Sequence, residues 1–410
     1  MQTELSPEFE DSPEAAEARA IMRKCVHCGF CNATCPTYQL LGDELDGPRG
    51  RIYLIKQALE GGEVTRSTQL HLDRCLTCLN CQTTCPSGVE YGHLIDIGRK
   101  IVDDKVKRPA KEQAVRWMLK EGLTSPLFGA ALRAGQALRP LLPAALKKNV
   151  PPASAQRETA AAPNPHRRTL LMLEGCVQPS MMPNIDAAAA RVLDRVGIGI
   201  VRAGAGCCGA VRTHLGDAEG GLDDMRRNID HWFPAVAAGE AEAIVSSASA
   251  CSLAIKEYGH KLSGDPAYRD KAAQVSALAR DLSELLPEIV PALEGQLRPG
   301  VAGRLAYHAP CTLQHGQRLR GVEAHLRALG FDVEVAGREA HFCCGSAGTY
   351  SVLQPALAEQ LRDRKLGHLA ELEPQTIVSA NMGCIRHLQS GTRIPIKHWI
   401  EVLDEALLPA

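Results

Sequence analysis

The chain contains the segment Cys25-Val-His-Cys28-Gly-Phe-Cys31-Asn-Ala-Thr-Cys35-Pro36, and its pattern returns as Cys75-Leu-Thr-Cys78-Leu-Asn-Cys81-Gln-Thr-Thr-Cys85-Pro86. Three closely spaced cysteines on a tight turn can present three thiolates to one face of an Fe₄S₄ cube. The fourth iron then needs a ligand from elsewhere, because so short a loop cannot wrap the cube. This spacing is typical of two-cluster ferredoxins, in which the fourth cysteine of each motif ligates the other cluster.

We therefore predict two [4Fe–4S] clusters whose ligands cross between the motifs. The predicted ligands are Cys25, Cys28, Cys31 and Cys85 for cluster one, and Cys75, Cys78, Cys81 and Cys35 for cluster two. A structural zinc site and free thiols are the alternatives. A third cysteine and a Cys-Pro step, present twice, argue against the paired C-x-x-C knuckles of zinc sites. Between the motifs, Arg49 and Arg51 either offset the negative charge of a cluster or begin a solvated helix.

The bulk composition excludes several classes of protein. A net charge of −1 and an aromatic content of 4% argue against nucleic-acid binding. The first seventeen residues are acidic, so we predict no signal peptide, and no run of eighteen apolar residues suggests a membrane span. Sixteen cysteines without a secretion signal indicate reduced thiols that bind metal or carry redox chemistry. We expect a cytoplasmic protein that at most associates peripherally with the inner face of the cell membrane.

Cysteine distribution divides the 410 residues into four parts. The predicted parts are a helical two-cluster ferredoxin-like domain (1–105), a helical connector with a Pro/Ala-rich linker (106–168), a first Cys-Cys-Gly module (169–290) and a second one (300–410). The connector carries a basic stretch around Trp117. This stretch is either a docking or membrane-surface helix or an ordinary solvated one.

The two modules repeat one order of elements. In the first, Leu170-Leu-Met-Leu-Glu-Gly-Cys176 precedes a helix (184–196), an apolar run, Cys207-Cys208-Gly209, a helix (219–237) and a strand (243–247). In the second, Leu305-Ala-Tyr-His-Ala-Pro-Cys311 precedes a helix (316–329), a strand (332–336), Cys343-Cys344-Gly345, a helix (354–372) and a strand (376–380). Alternating strands and helices predict parallel α/β modules, so the fold class is a helical domain followed by two duplicated α/β modules.

Each module offers four cysteines, and each group follows a strand, so the groups can converge at the carboxyl edge of a sheet. The candidate residues are Cys176, Cys207, Cys208, Cys251, Cys311, Cys343, Cys344 and Cys384. They predict a further iron–sulfur cluster or redox site, or they are buried thiols. Gly204-Ala-Gly-Cys-Cys-Gly209 also matches a dinucleotide-binding fingerprint, which we reject because the second module keeps only the Cys-Cys-Gly.

Together these motifs resemble the iron–sulfur subunits of glycolate oxidase and, more distantly, those of anaerobic glycerol-3-phosphate dehydrogenase and heterodisulfide reductase. The resemblance spans nearly the whole chain. Longer matching strings are Tyr38–Arg51, His71–Cys78, Cys311–His315 and Cys344–Tyr350. One departure is that Ala248 and Asn381 stand where heterodisulfide reductase modules have a fifth cysteine. A five-thiolate noncubane cluster is therefore not expected in either module.

The resemblance implies one subunit of a complex that oxidises glycolate to glyoxylate. FAD-containing partner subunits would hold the substrate, and this chain would pass single electrons to a quinone or membrane acceptor. The alternative is a subunit of a related complex, of the glycerol-3-phosphate dehydrogenase or heterodisulfide reductase type, with a redox-active Cys-Cys-Gly site.

Overall fold

A computed structural model describes residues 1–141, 143, 166, 168–202, 204 and 206–409. Its N-terminal region is helical, which confirms the prediction for this part of the chain. The α-helices of this region are α1 Pro13–Lys24, α2 Phe30–Ala33, α3 Pro36–Leu41, α4 Pro48–Leu59, α5 Arg66–Asp73, α6 Asn80–Thr84, α7 Tyr91–Lys105, α8 Ala110–Thr124 and α9 Phe128–Leu138. The Pro/Ala-rich linker predicted at 151–165 lies outside the described residues.

Helices α1, α4 and α7 form the core that supports the two cysteine motifs. Met22, Ile55 and Leu94, one from each helix, are fully buried in it. Gly98 allows α7 to approach α4, because a Cβ there would lie 2.5 Å from the Ile55 side chain. Helix α4 begins at Pro48, where proline suits the first helical position.

The rest of the chain folds into two modules, each built on a four-stranded parallel sheet. The strands are β1 Arg168–Met172, β2 Ile198–Arg202, β3 Ala243–Ser246 and β4 Ala279–Asp281 in the first module, and β5 Leu305–His308, β6 Val333–Val335, β7 Thr376–Ser379 and β8 Ile396–His398 in the second. The strand orders are β2-β1-β3-β4 and β6-β5-β7-β8. The repeated order confirms two duplicated α/β modules.

Helices cover the sheets in both modules. They are Gln178–Met181, Pro183–Arg195, Ala210–His214, Ala218–Ala237, Ser249–Lys256, Tyr258–Lys261, Arg269–Leu278 and Leu286–Ala292 in the first, and Val322–Ala328, Tyr350–Leu353, Pro355–Ala370, Met382–Gln389 and Trp399–Ala406 in the second. The helix predicted at 316–329 was wrong at its start. A π-helical turn, Thr312–Gly316, precedes it, and the α-helix begins only after Gly321, whose φ is +91°.

The two modules share one hydrophobic core. Leu170 and Val192 of the first module belong to the same buried cluster as Leu305 and Trp399 of the second. Two hydrogen bonds join the carboxyl end of β3 to those of β7 and β8: the Ser249 amide donates to the Ala380 carbonyl at 3.2 Å, and His398 Nε2 lies 2.9 Å from the Ser247 carbonyl. The cysteine-bearing edges of the two sheets therefore meet at the module interface. Within the described parts of the chain, no helix combines the length and apolarity needed to cross a bilayer.

Candidate iron–sulfur and metal centres

The loops of the two N-terminal motifs share an unusual backbone conformation. The second residue after the first cysteine has positive φ in both, at His27 (59°) and Thr77 (49°). The fourth residue does too, at Gly29 (86°) and Leu79 (60°). Left-handed geometry costs a non-glycine residue about 1–2 kcal/mol. Such strain, repeated at matching positions, is typical of loops that hold side chains for function.

The third cysteine of each motif lies on the short helix that follows the loop, Cys31 on α2 and Cys81 on α6. The fourth cysteine follows the end of that helix by two residues at Cys35 and by one residue at Cys85. A loop followed by one helical turn therefore points three thiols to one side and carries the fourth away from them.

Two clefts collect the eight cysteines of the N-terminal motifs. The first cleft, of about 440 Å³, is lined by Cys25, Cys28, Cys31, Cys81 and Cys85. The second cleft, of about 300 Å³, is lined by Cys35, Cys75, Cys78 and Cys81. Each cleft thus gathers three cysteines of one motif and the fourth of the other, and Cys81 lies between the two clefts. Whether these thiols bind clusters in this pairing stays a prediction.

The donor set of these clefts fits an iron–sulfur cluster. Burial, reinforced by the neighbouring Cys25 thiol, raises the pKa of Cys31 to about 11. Burial and the nearby Cys78 and Cys35 thiols also raise the pKa of Cys81 well above its ordinary value. Crowded thiols of this kind ionise when a cation binds them and releases their protons. The site therefore supplies thiolates in the presence of iron rather than as free anions.

Arg51 lies deep beside the second cleft. Its side chain is 1% exposed, its Nε donates to the His71 carbonyl at 2.8 Å, and its Nη2 donates to Thr37 Oγ1 at 3.1 Å. The guanidinium partly offsets the burial that raises the pKa of Cys35. The interpretation of Arg51 as part of a solvated helix start is therefore wrong. Arg49, in contrast, is partly exposed and pairs with Glu44 at 2.5 Å.

The module cysteines also converge. In the first module, hydrogen bonds between neighbouring thiols link Cys176 to Cys207, Cys207 to Cys208 and Cys208 to Cys251. In the second module, the same kind of hydrogen bond links Cys311 to Cys343, Cys343 to Cys344 and Cys344 to Cys384. Hydrogen bonding from Cys176 and Cys208 lowers the pKa of Cys207. The structure thus brings together each predicted set of four, and metal binding by either set stays a prediction.

The backbone conformation and the close packing of each Cys-Cys-Gly segment require its glycine. Gly209 and Gly345 have φ values of +90° and +89°, in the left-handed region that favours glycine. A Cβ at Gly209 would lie 2.7 Å from the Gly221 carbonyl oxygen, and one at Gly345 would lie 2.5 Å from that of Ala358. Each glycine therefore lets the cysteine pair approach the next long helix.

Sequence reasoning missed His308, at the end of β5 in the second module. One ring nitrogen of this residue and the sulfurs of Cys344 and Cys384 all lie within 4.8 Å of one another. Burial lowers the pKa of His308 to about 3, so its imidazole is neutral. Comparing the two modules could have found it, because Leu173 occupies the matching position three residues before Cys176.

The N-terminal region contacts the second module at the edge of the second cleft. The Cys78 thiol interacts with that of Cys311. Nearby, Asn80 Nδ2 donates to the His341 carbonyl at 3.3 Å, and Thr83 Oγ1 lies 2.9 Å from His315 Nδ1. The second cleft and the cysteines of the second module are therefore neighbours.

A further hydrogen bond joins the two modules near their cysteines. The hydroxyls of Ser249 and Thr312 are 2.7 Å apart, and these residues lie close in sequence to Cys251 and Cys311.

Cations of the basic connector pair with acids elsewhere in the chain. Arg116 lies 3.0 Å from Asp73, and Lys120 lies 3.0 Å from Asp217. Trp117 is 61% exposed. These ion pairs neutralise part of the positive charge of this stretch within the protein, which weakens the hypothesis of a membrane-surface helix.

Comparison with known families defines the class of this protein. The family model described as 4Fe-4S dicluster domain matches residues 21–89. The one described as Cysteine-rich domain matches residues 170–256 and again residues 305–389. The chain is therefore an iron–sulfur protein that joins a dicluster domain to a duplicated cysteine-rich domain.

Whole-chain relatives narrow this class. The chain is 54% identical to the glycolate oxidase iron–sulfur subunit of Escherichia coli K12, across 99% of both chains. It is 27% identical to the probable glycolate oxidase iron–sulfur subunit of Bacillus subtilis 168, over 95% of this chain and 92% of that one. Lactate utilization protein A of Geobacillus kaustophilus is 30% identical over 48% of this chain and 82% of its own. The chain belongs to the family of glycolate oxidase iron–sulfur subunits.

Proposed function

We propose that this chain is the electron-carrying subunit of a complex that oxidises glycolate to glyoxylate. In this proposal, partner subunits that contain FAD take the hydride from glycolate. Two [4Fe–4S] clusters, when bound here, accept and release single electrons, which leave towards a quinone or another membrane acceptor. The complex would associate peripherally with the inner face of the cell membrane.

The observation that carries the proposal is the pair of adjoining clefts. Each is lined by all four cysteines assigned to one cluster, and Cys81 lines both. Cluster one is assigned to Cys25, Cys28, Cys31 and Cys85, and cluster two to Cys75, Cys78, Cys81 and Cys35. We propose the helical segment 1–105 as a ferredoxin-like domain that holds both. The eight module cysteines are proposed to form a further iron–sulfur cluster or redox site.

The residues around the clefts position the thiols and adjust their charge. Tyr91 Oη donates to Cys75 Sγ at 3.7 Å, and the Thr77 amide donates to the same sulfur at 3.4 Å. Hydrogen bonds to sulfur and a nearby cation both favour the more negative, reduced state of a cluster. With Arg51 beside it, the second cleft is therefore suited to accepting an electron.

Exposure suggests where electrons enter from the partner. Cys28 is exposed, as are the apolar side chains of Val26 and Phe30 at the mouth of the first cleft. The second cleft instead adjoins Cys311 of the second module. We propose that the first cleft faces a partner subunit and that the second passes electrons inward.

Substitution of Cys78 by serine tests the cluster assignment. We expect Cys78→Ser to lose one cluster, so that iron falls from about eight to about four atoms per chain. Quinone reduction by the assembled complex should fall to background. Unchanged iron content and activity would contradict the assignment.

Crossed ligation has a sharper test in Cys35→Ser. Because Cys35 is assigned to cluster two, this variant should lose the same paramagnetic resonance signal as Cys78→Ser. The matched control is Cys28→Ser, which should lose the other signal. If Cys35→Ser instead resembled Cys28→Ser, each motif would hold its own cluster and the crossing would be wrong.

A further inference from the structure

Helices α8 and α9 lie on the surface of the protein, and every residue in them is at least partly exposed. One face of α9, extended by a leucine on either side of the helix, carries only leucine and alanine. Its members recur at spacings of three and four residues, which places them along one side of a helix. The three leucines are 72, 55 and 82% exposed in chain order. We call this face the apolar stripe, and it consists of Leu127, Ala130, Ala131, Ala134, Ala137, Leu138 and Leu141.

The other faces of the two helices hold them on the first module. Gly129 of α9 packs against the first module, where a Cβ on this glycine would lie 2.8 Å from Ser180 Oγ. At the end of α8, Arg212 Nη2 donates to Thr124 Oγ1 at 3.1 Å. Ser180 and Arg212 each follow a cysteine of the first module by four residues. The first module therefore fixes both helices, and the apolar stripe is left facing solvent.

The charges of this helix pair complement an anionic surface. The acidic residues between positions 106 and 141 are Glu112 and Glu121, and both are held in ion pairs with arginines. Lys107, Lys111 and Arg133 are exposed, and among the described residues they form no ion pair. Clusters of unpaired cations beside an apolar helix face favour binding to anionic lipid headgroups.

The apolar stripe is better suited to lipid than to a protein partner. Its leucine and alanine side chains have no hydrogen-bonding group, whereas protein interfaces are anchored by tryptophan, tyrosine and arginine. Lipid needs no such anchor, because an interfacial helix binds by removing apolar area from water. On α8, Trp117 is 61% exposed, and tryptophan is enriched where proteins meet the membrane–water interface.

We propose that the apolar stripe lies in the surface of a bilayer that contains anionic phospholipid, with Lys107, Lys111 and Arg133 near the headgroups. This inference rests on the proposed function, which requires peripheral contact with a membrane, and it names the surface that makes the contact. Because Arg116 and Lys120 of α8 are held in ion pairs, the apolar area of α9 supplies most of the binding. The contact holds the first module beside the membrane acceptor.

Flotation of the full-length, anaerobically prepared protein with vesicles tests the proposal. The vesicles contain phosphatidylcholine and phosphatidylglycerol in equal amounts. Wild type should bind them, and Leu138→Glu should bind at least about tenfold more weakly, because a carboxylate replaces an apolar side chain that enters the lipid. The matched control is Val352→Glu in the second module. Val352 is 57% exposed, so this variant should bind like wild type.

The charges have a test of their own. A triple variant, Lys107→Gln, Lys111→Gln and Arg133→Gln, should bind the anionic vesicles at least about tenfold more weakly than wild type. On vesicles of phosphatidylcholine alone, the triple variant and wild type should bind equally. Added salt should reduce the difference on anionic vesicles, because it screens exposed charges.

The assembled complex separates the membrane contact from the electron transfer. Leu138→Glu should retain its iron and its paramagnetic signals, together with glycolate-dependent reduction of a soluble dye. It should lose reduction of a quinone embedded in the anionic vesicles. Leu141→Glu repeats the test at another exposed position of the stripe and remains informative if Leu138→Glu does not fold.

Two results of the flotation would overturn the proposal: wild type that does not bind the anionic vesicles, or glutamate variants that bind them as wild type does. Loss of the flavin-containing subunits from Leu138→Glu with unchanged vesicle binding would also overturn it, because the stripe would then contact protein. Absence of dye reduction in the wild-type complex would instead count against the proposed function, and flotation would still decide the role of the stripe.

Discussion

Two arginines that lie two residues apart in the sequence have different surroundings in the fold. Arg51 is enclosed beside Cys35 and Cys75, whereas Arg49 reaches towards solvent and Glu44. The sequence indicated that this segment carries cations near the motifs. It could not separate the two residues, because their burial depends on how helix α4 packs against neighbours from other parts of the chain.

Replacing Arg51 by methionine should lower the reduction potential of cluster two. Loss of one buried positive charge near the cluster makes adding an electron harder, by roughly 50–100 mV, or about 1–2 kcal/mol for one electron. Asp46 keeps His71 and Arg74 as partners at 3.0 and 2.8 Å, so the fold should persist. Redox titration followed by paramagnetic resonance measures the shift.

The matched control for that titration is Arg49→Met, which removes a partly exposed charge that solvent and salt already screen. Arg49→Met should therefore change the reduction potential of either cluster only slightly. Equal potentials in wild type and Arg51→Met would show that this guanidinium does not influence the cluster.

At the scale of elements, the sequence predicted most of the repeated strand and helix order but not the last strand of each module, β4 and β8. β4 and β8 have three residues each and contain Arg280 and Lys397, so they show no apolar run. Their positions depend on pairing with β3 and β7, which a local pattern does not contain. The repeated Cys-Cys-Gly was visible, whereas the close contact that requires its glycine was not.

Gly345→Ala should destabilise the second module by about 2–5 kcal/mol. This sum combines the cost of left-handed backbone for alanine with that of overpacking against the Ala358 carbonyl. Thermal unfolding of the full-length protein measures it. Gly367→Ala is the control, because this exposed helical glycine has open space at its Cβ, and alanine there should stabilise by about 0.5–1 kcal/mol. Similar stability for the two variants would contradict the packing argument.

At the scale of the whole molecule, contacts between distant parts of the chain organise the site. The sequence predicted which cysteines form each group. It could not predict that Cys78 meets Cys311, because this contact requires the N-terminal region to dock on the second module. Another docking contact joins α7 to the first module, where His93 Nε2 lies 3.0 Å from Glu257 and Lys261 lies 2.8 Å from Asp96.

The stability that the contact between α7 and the first module contributes should depend on pH. The hydrogen bond to Glu257 raises the pKa of His93, to which Glu17 also contributes, while Lys261 opposes it. A histidine with a raised pKa stabilises the fold fully below its ordinary value of about 6.5 and loses this effect as pH rises through the folded-state value. Wild type should therefore lose stability relative to His93→Gln as pH rises from about 6 to about 8.

His260, stacked on His93 at 3.9 Å, provides the control with opposite sign. Burial and the charge of His93 lower the pKa of His260, so its protonation on acidification opposes folding. His260→Gln should gain stability relative to wild type as pH falls. Melting temperatures across this range test both expectations, and a pH-independent difference between wild type and His93→Gln would refute the role of His93.

The central claim is that thiolates of the two N-terminal motifs hold two [4Fe–4S] clusters. Iron and sulfide analysis of the full-length, anaerobically prepared protein, together with its paramagnetic resonance after reduction, tests it most directly. We predict a brown protein with about eight iron and eight sulfide per chain and the signals of two interacting clusters. A colourless protein without iron would contradict the account.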